Sequence, residues 1–370
     1  MGVLDLAAYP WDAVEPYRKR AAQHPGGIVD LSVGSPIDPT PDVIRRALAE
    51  ATDAHSYPLT VGSPALRDAI VDWYARRRGV PGLTPAHVLP TIGSKELVAL
   101  LPTLLGLTAG DVVVHPRIAY PTYAVGATVA GATPVAADDP DEWPEGAKLI
   151  WINTPGNPDG RTWSVEELAA AVRRARELGA VLASDECYAE LGWDGPWADQ
   201  PVPSVLDPRV TGGSRADLLS VYSLSKQSNL AGYRAAFVAG CSDLIAGLLA
   251  ARKHLGLMPP APVQHAMAVA LRDDEHVAAQ KELYRRRRDV LKPAVEAAGF
   301  RIDGSEAGLY LWATEDRDAW ESLQRLAELG ILAGPGHFYG EHSARHVRLA
   351  LTAPLDRIEQ AAERLASATR

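Results

Sequence analysis

The chemistry this sequence could perform starts at a lysine set among hydroxyls. Ser223-Leu-Ser225-Lys226 closes an apolar run, and Gly232-Tyr-Arg234 follows it. A lysine amine becomes a nucleophile and a base when burial lowers its proton affinity. The chain has seven lysines against thirty arginines, so covalent amine chemistry has few other candidates. Asp185 ends a second apolar run in Ser-Asp-Glu-Cys-Tyr188. A carboxylate there lies in the crevice where open α/β sheets bind ligands. Gly93-Ser94-Lys95 stands between a strand and a helix, where free backbone N–H groups and the helix dipole face an anion. The G-x-x-x-x-G-K-[ST] spacing is absent, which argues against a nucleotide P-loop. Asn153-Thr-Pro-Gly-Asn157-Pro-Asp-Gly160 has the composition of a turn. Arg348, in His-Val-Arg-Leu-Ala-Leu, offers a planar fork that matches a carboxylate.

The elements that must position these residues follow from hydrophobic periodicity. Short apolar runs predict strands at Val88–Thr91, Val112–His115, Pro134–Ala137, Leu149–Asn153, Val181–Ser184, Leu218–Tyr222 and Ala235–Ala239. Helical patterns at Glu96–Leu105, Tyr123–Ala130 and Val165–Leu178 alternate with them, as in an α/β domain with a largely parallel sheet. Ser164 with Glu167 is a capping-box start for the last of these. Beyond Gly240 come helices at Leu244–Leu255, Val263–Leu271 and Glu275–Ala298, the last with a kink or break expected at Pro293. An α+β unit then has strands at Gly308–Ala313, Ile331–Ala333 and His346–Leu351, with helices near Ala319–Leu329 and Asp356–Ala366. The N-terminal segment, extended at Leu31–Gly34 and helical at Asp42–Ala51, has no core of its own and must pack on that unit or on a partner subunit. The expected domains are 48–245 for the large one, 1–47 with 275–370 for a small one made by both chain ends, and 246–274 as linking helices.

The S-x-S-K…R pattern of Ser223, Ser225, Lys226 and Arg234 resembles the cofactor-lysine motif of the fold-type I pyridoxal-phosphate enzymes, class I/II aminotransferases in particular. The resemblance implies a large domain with a mainly parallel seven-stranded sheet plus a smaller α+β domain, and pyridoxal 5′-phosphate as cofactor. It makes Lys226 the lysine that holds the cofactor, with Ser223, Ser225 and Arg234 on its phosphate. Asp185 would pair with the pyridinium nitrogen, and Tyr188 and Asn157 would donate to the phenolic oxygen. Gly93, Ser94 and Lys95 would hold the phosphate, mainly by backbone, and Tyr120 would stack on the ring. Tyr57, in a Y-x4-G-x3-L-R run, would reach the phosphate of the neighbouring subunit, which implies a homodimer with shared sites. Arg348 would grip the substrate α-carboxylate, and Gly34 would line the substrate pocket beside Asn157. Two residues depart from the family's N-P-x-N-P-T-G loop: Thr154 stands where proline is usual and Asp159 where threonine is. The implied reaction is amino transfer from an amino-acid donor to 2-oxoglutarate, giving glutamate.

Longer stretches, among them 184–195, 251–264 and 307–314, resemble actinobacterial-type N-succinyldiaminopimelate aminotransferases of lysine and diaminopimelate biosynthesis. That substrate carries a distal carboxylate, for which Arg252, Lys253 and Arg117 are candidate cations. Aspartate, alanine or aromatic aminotransferases and a C–S β-lyase share the same core residues. A regulator would need an appended helix-turn-helix, for which the roughly 30 residues before the family core give no room. A nicotinamide dehydrogenase lacks its G-x-G-x-x-G.

Composition narrows the classes further. A net charge of −9 and the lack of a basic face disfavour a nucleic-acid partner. The basic run Arg285–Arg288 reads as a solvated helix face. Two cysteines cannot make a secreted disulfide framework, and no cysteine–histidine cluster suggests a metal. No signal peptide and no apolar window long enough for a membrane span appear, so a cytoplasmic location is expected.

Overall fold

The computed structural model describes residue 6 and residues 10–367. The outermost parts of the expected small domain, residues 1–5, 7–9 and 368–370, lie outside the described residues. In chain order come α1 (Glu15–Ala22), β1 (Val29–Asp30), α2 (Asp42–Glu50) and α3 (Pro64–Arg77). Strands and helices then alternate through β2 (Val88–Ile92), α4 (Ser94–Leu104), β3 (Val112–His115), α5 (Thr122–Ala130), β4 (Thr133–Ala136) and β5 (Ala147–Asn153). They continue with α6 (Val165–Leu178), β6 (Val181–Asp185), α7 (Pro208–Thr211), β7 (Leu218–Ser223), the single turn α8 (Leu224–Gln227) and β8 (Ala235–Gly240). The last part holds α9 (Ser242–Leu255), α10 (Ala261–Arg272), α11 (Glu275–Ala297), β9 (Arg301–Ile302), β10 (Tyr310–Thr314) and α12 (Ala319–Glu328). It ends with β11 (Ile331–Leu332), β12 (Gly334–Pro335), β13 (His346–Ala350) and α13 (Leu355–Ser367).

The large sheet has seven strands in the order β2-β8-β7-β6-β5-β3-β4, and only β8 runs antiparallel to its neighbours. Helices cover both faces, so the central strands read as unbroken apolar runs. Alternate side chains serve two separate cores: Ile150, Ile152 and Leu182 pack on one face, Leu149, Trp151 and Ala183 on the other. The chain reverses direction across the sheet at β3, which lies between β4 and β5. Crevices at the carboxyl ends of strands near such a reversal are where ligands bind. Helix α6 shows how local sequence sets an element. Ser164 Oγ accepts from the Glu167 N–H at 3.1 Å while Glu167 accepts from the Ser164 N–H at 2.7 Å. Gly179 ends the helix in the left-handed region, φ 63°.

Both chain ends share the core of a second unit, apart from the two on the large sheet. β1 pairs in parallel with β11, the Ala350 N–H donates to the Leu31 carbonyl, and Val14, Val29 and Leu31 pack with Leu349 and Ile358. Beside them lies a four-stranded sheet, β12-β13-β10-β9. Cys187, Tyr188 and Leu191, just past β6, belong to the core of this second unit, so the two units meet at the carboxyl edge of the large sheet. Helix α2 differs, because its Ile44 packs into the core of the large sheet.

Three expectations change. Helix α11 continues without interruption through Pro293, with Leu291 and Val295 buried on either side of it. Its packing against α13 holds the helix together across the missing N–H. The run Arg285–Arg288 is only half solvated. Arg285 and Arg286 are exposed, but Arg287 is buried against Asp38 and Arg288 against Asp194. The helices α1 and α3 are additions; α3 begins with Ser63 as its cap and Pro64 in its first turn.

Candidate active site

Lys226 stands on α8, directly after the fully buried strand β7. Ser223 caps this single turn: its Oγ accepts from the Ser225 N–H at 3.2 Å and donates to Ser225 Oγ at 2.8 Å. The lysine is largely enclosed, and its Nζ donates to the Gly34 carbonyl. Burial pushes its amine below the ordinary lysine value; Tyr310 opposes this, while the charge of Arg348 adds to it. An amine that loses its proton readily is suited to covalent and proton-transfer work.

Asp185 is the last residue of β6, paired across the ladder with Asn153 at the end of β5. Its Oδ2 accepts from the Tyr123 hydroxyl at 2.9 Å and its Oδ1 from the Cys187 N–H at 3.2 Å. Burial raises its pKa, and the donors Cys187 and Tyr123 hold the rise back. A buried carboxylate needs a cation, and a protonated ring nitrogen would supply one. The turn after β5 is pinned by Asn153, whose side-chain amide donates to the Pro155 and Asp185 carbonyls and whose Oδ1 accepts from the Asn157 N–H at 2.8 Å. The two departures in this turn each have a partner. Thr154 Oγ1 accepts from the Trp163 N–H at 2.9 Å, and the Asp159 carbonyl accepts from the Ser305 N–H at 2.6 Å.

A cradle for an anion lies at the other end of this edge. Gly93 follows β2 at φ 75°, and a Cβ there would come within 2.2 Å of the Arg234 guanidinium. Arg234 itself takes the left-handed conformation, φ 56°, just before β8. Ser94 opens the 11-residue α4 with its free N–H groups. Glycine at 93 thus leaves space for the Arg234 guanidinium beside the start of α4. Lys95 is exposed, with Nζ 5.9 Å from the Tyr120 ring centroid. Tyr57 is 96% exposed and touches none of this within its own chain.

Arg348, on β13, is 4% exposed. Its Nη1 donates to Asn157 Oδ1 at 3.0 Å and its Nη2 to the Ser32 carbonyl at 2.7 Å. The ring of Tyr310 lies 4.0 Å from the guanidinium carbon, with Tyr339 at 5.1 Å and Trp11 at 5.8 Å. Its Nε is buried with no partner, a donor left for a ligand. Tyr310 OH also meets Tyr188 OH at 3.2 Å, and a Cβ on Gly34 would fall 2.1 Å from it. Lys226, Gly34, Tyr188, Asn157 and Arg348 are therefore gathered around one space. Sequence reasoning passed over Tyr123, Tyr310 and the Ser32 carbonyl; Tyr123, one helical turn after Tyr120, carried the clearest signal. Of the candidate distal cations, Arg252 is 0% exposed and bound to Glu96 at 2.7 and 3.0 Å. Arg117 pairs with Glu142 at 2.8 Å, and Lys253 lies on the surface. Among the described residues no cluster of three or more histidine, cysteine, aspartate or glutamate side chains could hold a metal.

A family model for class I and II aminotransferases matches residues 27–365. The chain belongs to that family. It is 53% identical over 362 residues to the 4-dedimethylamino-4-oxo-anhydrotetracycline transaminase OxyQ of Streptomyces rimosus, covering 98% of this chain and 99% of that one. It is 35% identical over 360 residues to the LL-diaminopimelate aminotransferase of Aquifex aeolicus, covering 91% of this chain and 90% of the relative. Among solved structures it matches a Thermus thermophilus protein described as a probable N-succinyldiaminopimelate aminotransferase. The TM-score there is 0.87 at 29% identity, over 97% of this chain and all of the other. The fold is thus fold-type I, and the cofactor of this aminotransferase is pyridoxal 5′-phosphate. The residues fit it: an amine of lowered proton affinity, a buried acid lacking a cation, and an anion cradle lie along one sheet edge.

Proposed function

We propose that this aminotransferase moves the amino group of N-succinyl-LL-2,6-diaminopimelate to 2-oxoglutarate, yielding glutamate. The observation that carries the amino-acid reading is Arg348, buried among three aromatic rings, with Asn157 at one end and an unpartnered Nε. A guanidinium held in this way is prepared for one α-carboxylate, which it binds through two parallel bonds. Pyridoxal phosphate, when bound, supplies the electron sink that lets a Cα–H bond break. Lys226 Nζ would hold the cofactor, and its amine, when free, would act as general base on the substrate Cα proton. Asp185 keeps a proton on the ring nitrogen, with Tyr123 and the Cys187 N–H fixing its two oxygens. Tyr188 and Asn157 donate to the phenolic oxygen. Gly93, Ser94, Lys95, Ser223, Ser225 and Arg234 hold the phosphate. Tyr120 covers the ring, and Gly34 borders the substrate. The exposed Tyr57 is left for a second copy of the chain, so the working unit is a homodimer.

The diaminopimelate donor draws support from the relatives named for diaminopimelate and N-succinyldiaminopimelate. A second reading has its own support: the 53% identity to OxyQ favours a ketone on a tetracycline-type ring as the amino acceptor. A donor screen run once with 2-oxoglutarate as acceptor, reading glutamate, and once with a polycyclic ketone as acceptor, reading its amine, separates them. Preference for N-succinyldiaminopimelate over aspartate, alanine and N-acetylornithine supports the proposal. No turnover with any α-amino acid except as donor to a polycyclic ketone rejects it. Release of pyruvate and thiol from cystathionine would instead identify a β-lyase.

A further inference from the structure

We propose that Tyr310 is a positioning residue whose hydroxyl donates to the oxygen of Tyr188, leaving the Tyr188 proton for the cofactor's phenolic oxygen. The inference rests on the reading above, in which Tyr188 faces that oxygen. The geometry is the starting point. The two hydroxyls are 3.2 Å apart and their rings meet edge to face at 5.9 Å. A tyrosine oxygen can accept while its own O–H donates elsewhere, so the pair forms a two-step chain with a direction. The surroundings set that direction. Tyr310 is the hydroxyl nearer to positive charge, with its ring 4.0 Å from the Arg348 guanidinium and its OH against Gly34, whose carbonyl accepts from Lys226. A hydroxyl polarised by cations is the better donor.

The proton affinities agree. Burial would raise Tyr310, yet the positive charges of Arg348 and Lys226 bring it below the ordinary tyrosine value, which makes it the more acidic hydroxyl of the pair. Tyr188 is instead raised, first by burial and then by Tyr310. The titratable and charged groups facing the pair are Lys226, Arg348, Cys187, Tyr123, Tyr284 and Tyr339. Space argues the same way. Gly34 has no room for a Cβ because Tyr310 OH would stand 2.1 Å from it, so the hydroxyl is wedged between backbone and Tyr188.

The test is a pH titration of the visible absorbance of the holoenzyme, which follows the proton shared between the lysine nitrogen and the phenolic oxygen. A donor on that oxygen stabilises its negative charge and lets the proton leave at lower pH. Tyr188→Phe therefore raises the midpoint. Tyr310→Phe is expected to raise it by about half a pH unit, roughly threefold in proton affinity, and to add nothing in the Tyr188→Phe background. An unchanged midpoint in Tyr310→Phe, or a full additional shift in the double variant, overturns the proposal. An unmoved Tyr188→Phe midpoint would remove the Tyr188 contact itself, and the proposal with it, which separates the two failures. A KM comparison distinguishes the hydroxyl from the ring. Tyr310→Phe keeps the face under Arg348 and should hold the amino-donor KM within about twofold, whereas Tyr310→Leu raises it about fivefold. Equal KM increases in both variants, with no spectral shift, would leave Tyr310 a purely structural support and contradict the proposal.

Discussion

The Tyr123 hydroxyl donates to Asp185 Oδ2 at 2.9 Å, from the first turn of α5 to the last residue of β6. This bond fixes the one carboxylate that faces the ring nitrogen in the proposed mechanism. Tyr123 is fully buried and its ring packs at a tilt against Trp151, centroids 5.1 Å apart, so the donor is held in place. Removing only the hydroxyl, in Tyr123→Phe, should lower kcat about tenfold, the value of one hydrogen bond to a charged group, with little change in amino-donor KM. Steady-state kinetics with saturating cofactor would check it, and an unchanged kcat would place Asp185 outside Tyr123's control.

Arg348 should not tolerate lysine. Arg348→Lys keeps the charge but loses the fork and the bond to Asn157, so the amino-donor KM should rise roughly a hundredfold. The visible absorbance of the bound cofactor should persist. Loss of the absorbance instead would mean that Arg348 holds the cofactor and not the substrate.

Tyr57 gives a test of the shared site. Tyr57→Ala should weaken cofactor binding about tenfold, in line with one lost bond to a phosphate. Mixing that variant with Lys226→Ala and reassembling the subunits forms dimers in which an intact Lys226 meets the partner's intact tyrosine. Cofactor affinity at that site should recover. Failure to recover would assign Tyr57 a role within its own subunit.

A pH dependence of stability follows from Asp38, which ties the N-terminal segment to α11 through Arg287 and Gln280. Burial alone would raise its pKa, but the bonds from Arg287 and Gln280 win and hold it below the ordinary aspartate value. A carboxylate depressed in the folded state stabilises fully above its unfolded value and loses that contribution as pH falls through the folded one. Asp38→Asn should therefore cost about 3 kcal/mol near neutrality, because Arg287 is left buried and unpaired. The gap from the parent should narrow below about pH 4. Denaturant melts at several pH values would show it; a gap independent of pH would mean that the pair contributes no net charge interaction.

Much of the fold was legible because of where the strands lie. A strand covered on both faces must be apolar throughout, and the central strands of the large sheet are visible in the sequence as such runs, whereas the edge strand β4 is largely exposed. The boundaries moved by a residue or two, as at β5, which begins at Ala147. Lys226, Asp185, Asn157 and Arg348 were legible through the family motifs that contain them, since each alone reads as an ordinary strand-end, turn or surface residue. Tyr310 and Tyr123 were not, since a tyrosine in an apolar element looks like packing until its hydroxyl is seen to have a partner. Arg252, Arg287 and Arg288 show the converse. Their charges are neutralised by Glu96, Asp38 and Asp194, which are remote in sequence, and a linear reading cannot tell such arginines from solvated ones. Pro293 stayed helical for a similar reason, because the packing that holds it comes from α13.

The central claim is that Lys226, out of seven lysines, holds the cofactor. Reduction of the holoenzyme with borohydride fixes the cofactor permanently to the lysine that carries it, and peptide mapping by mass spectrometry then locates the label. The label is expected on the peptide containing Ser223-Leu-Ser-Lys226, with none on that peptide in Lys226→Ala. A label on Lys95, or one that persists at another lysine after Lys226 is removed, would contradict the account.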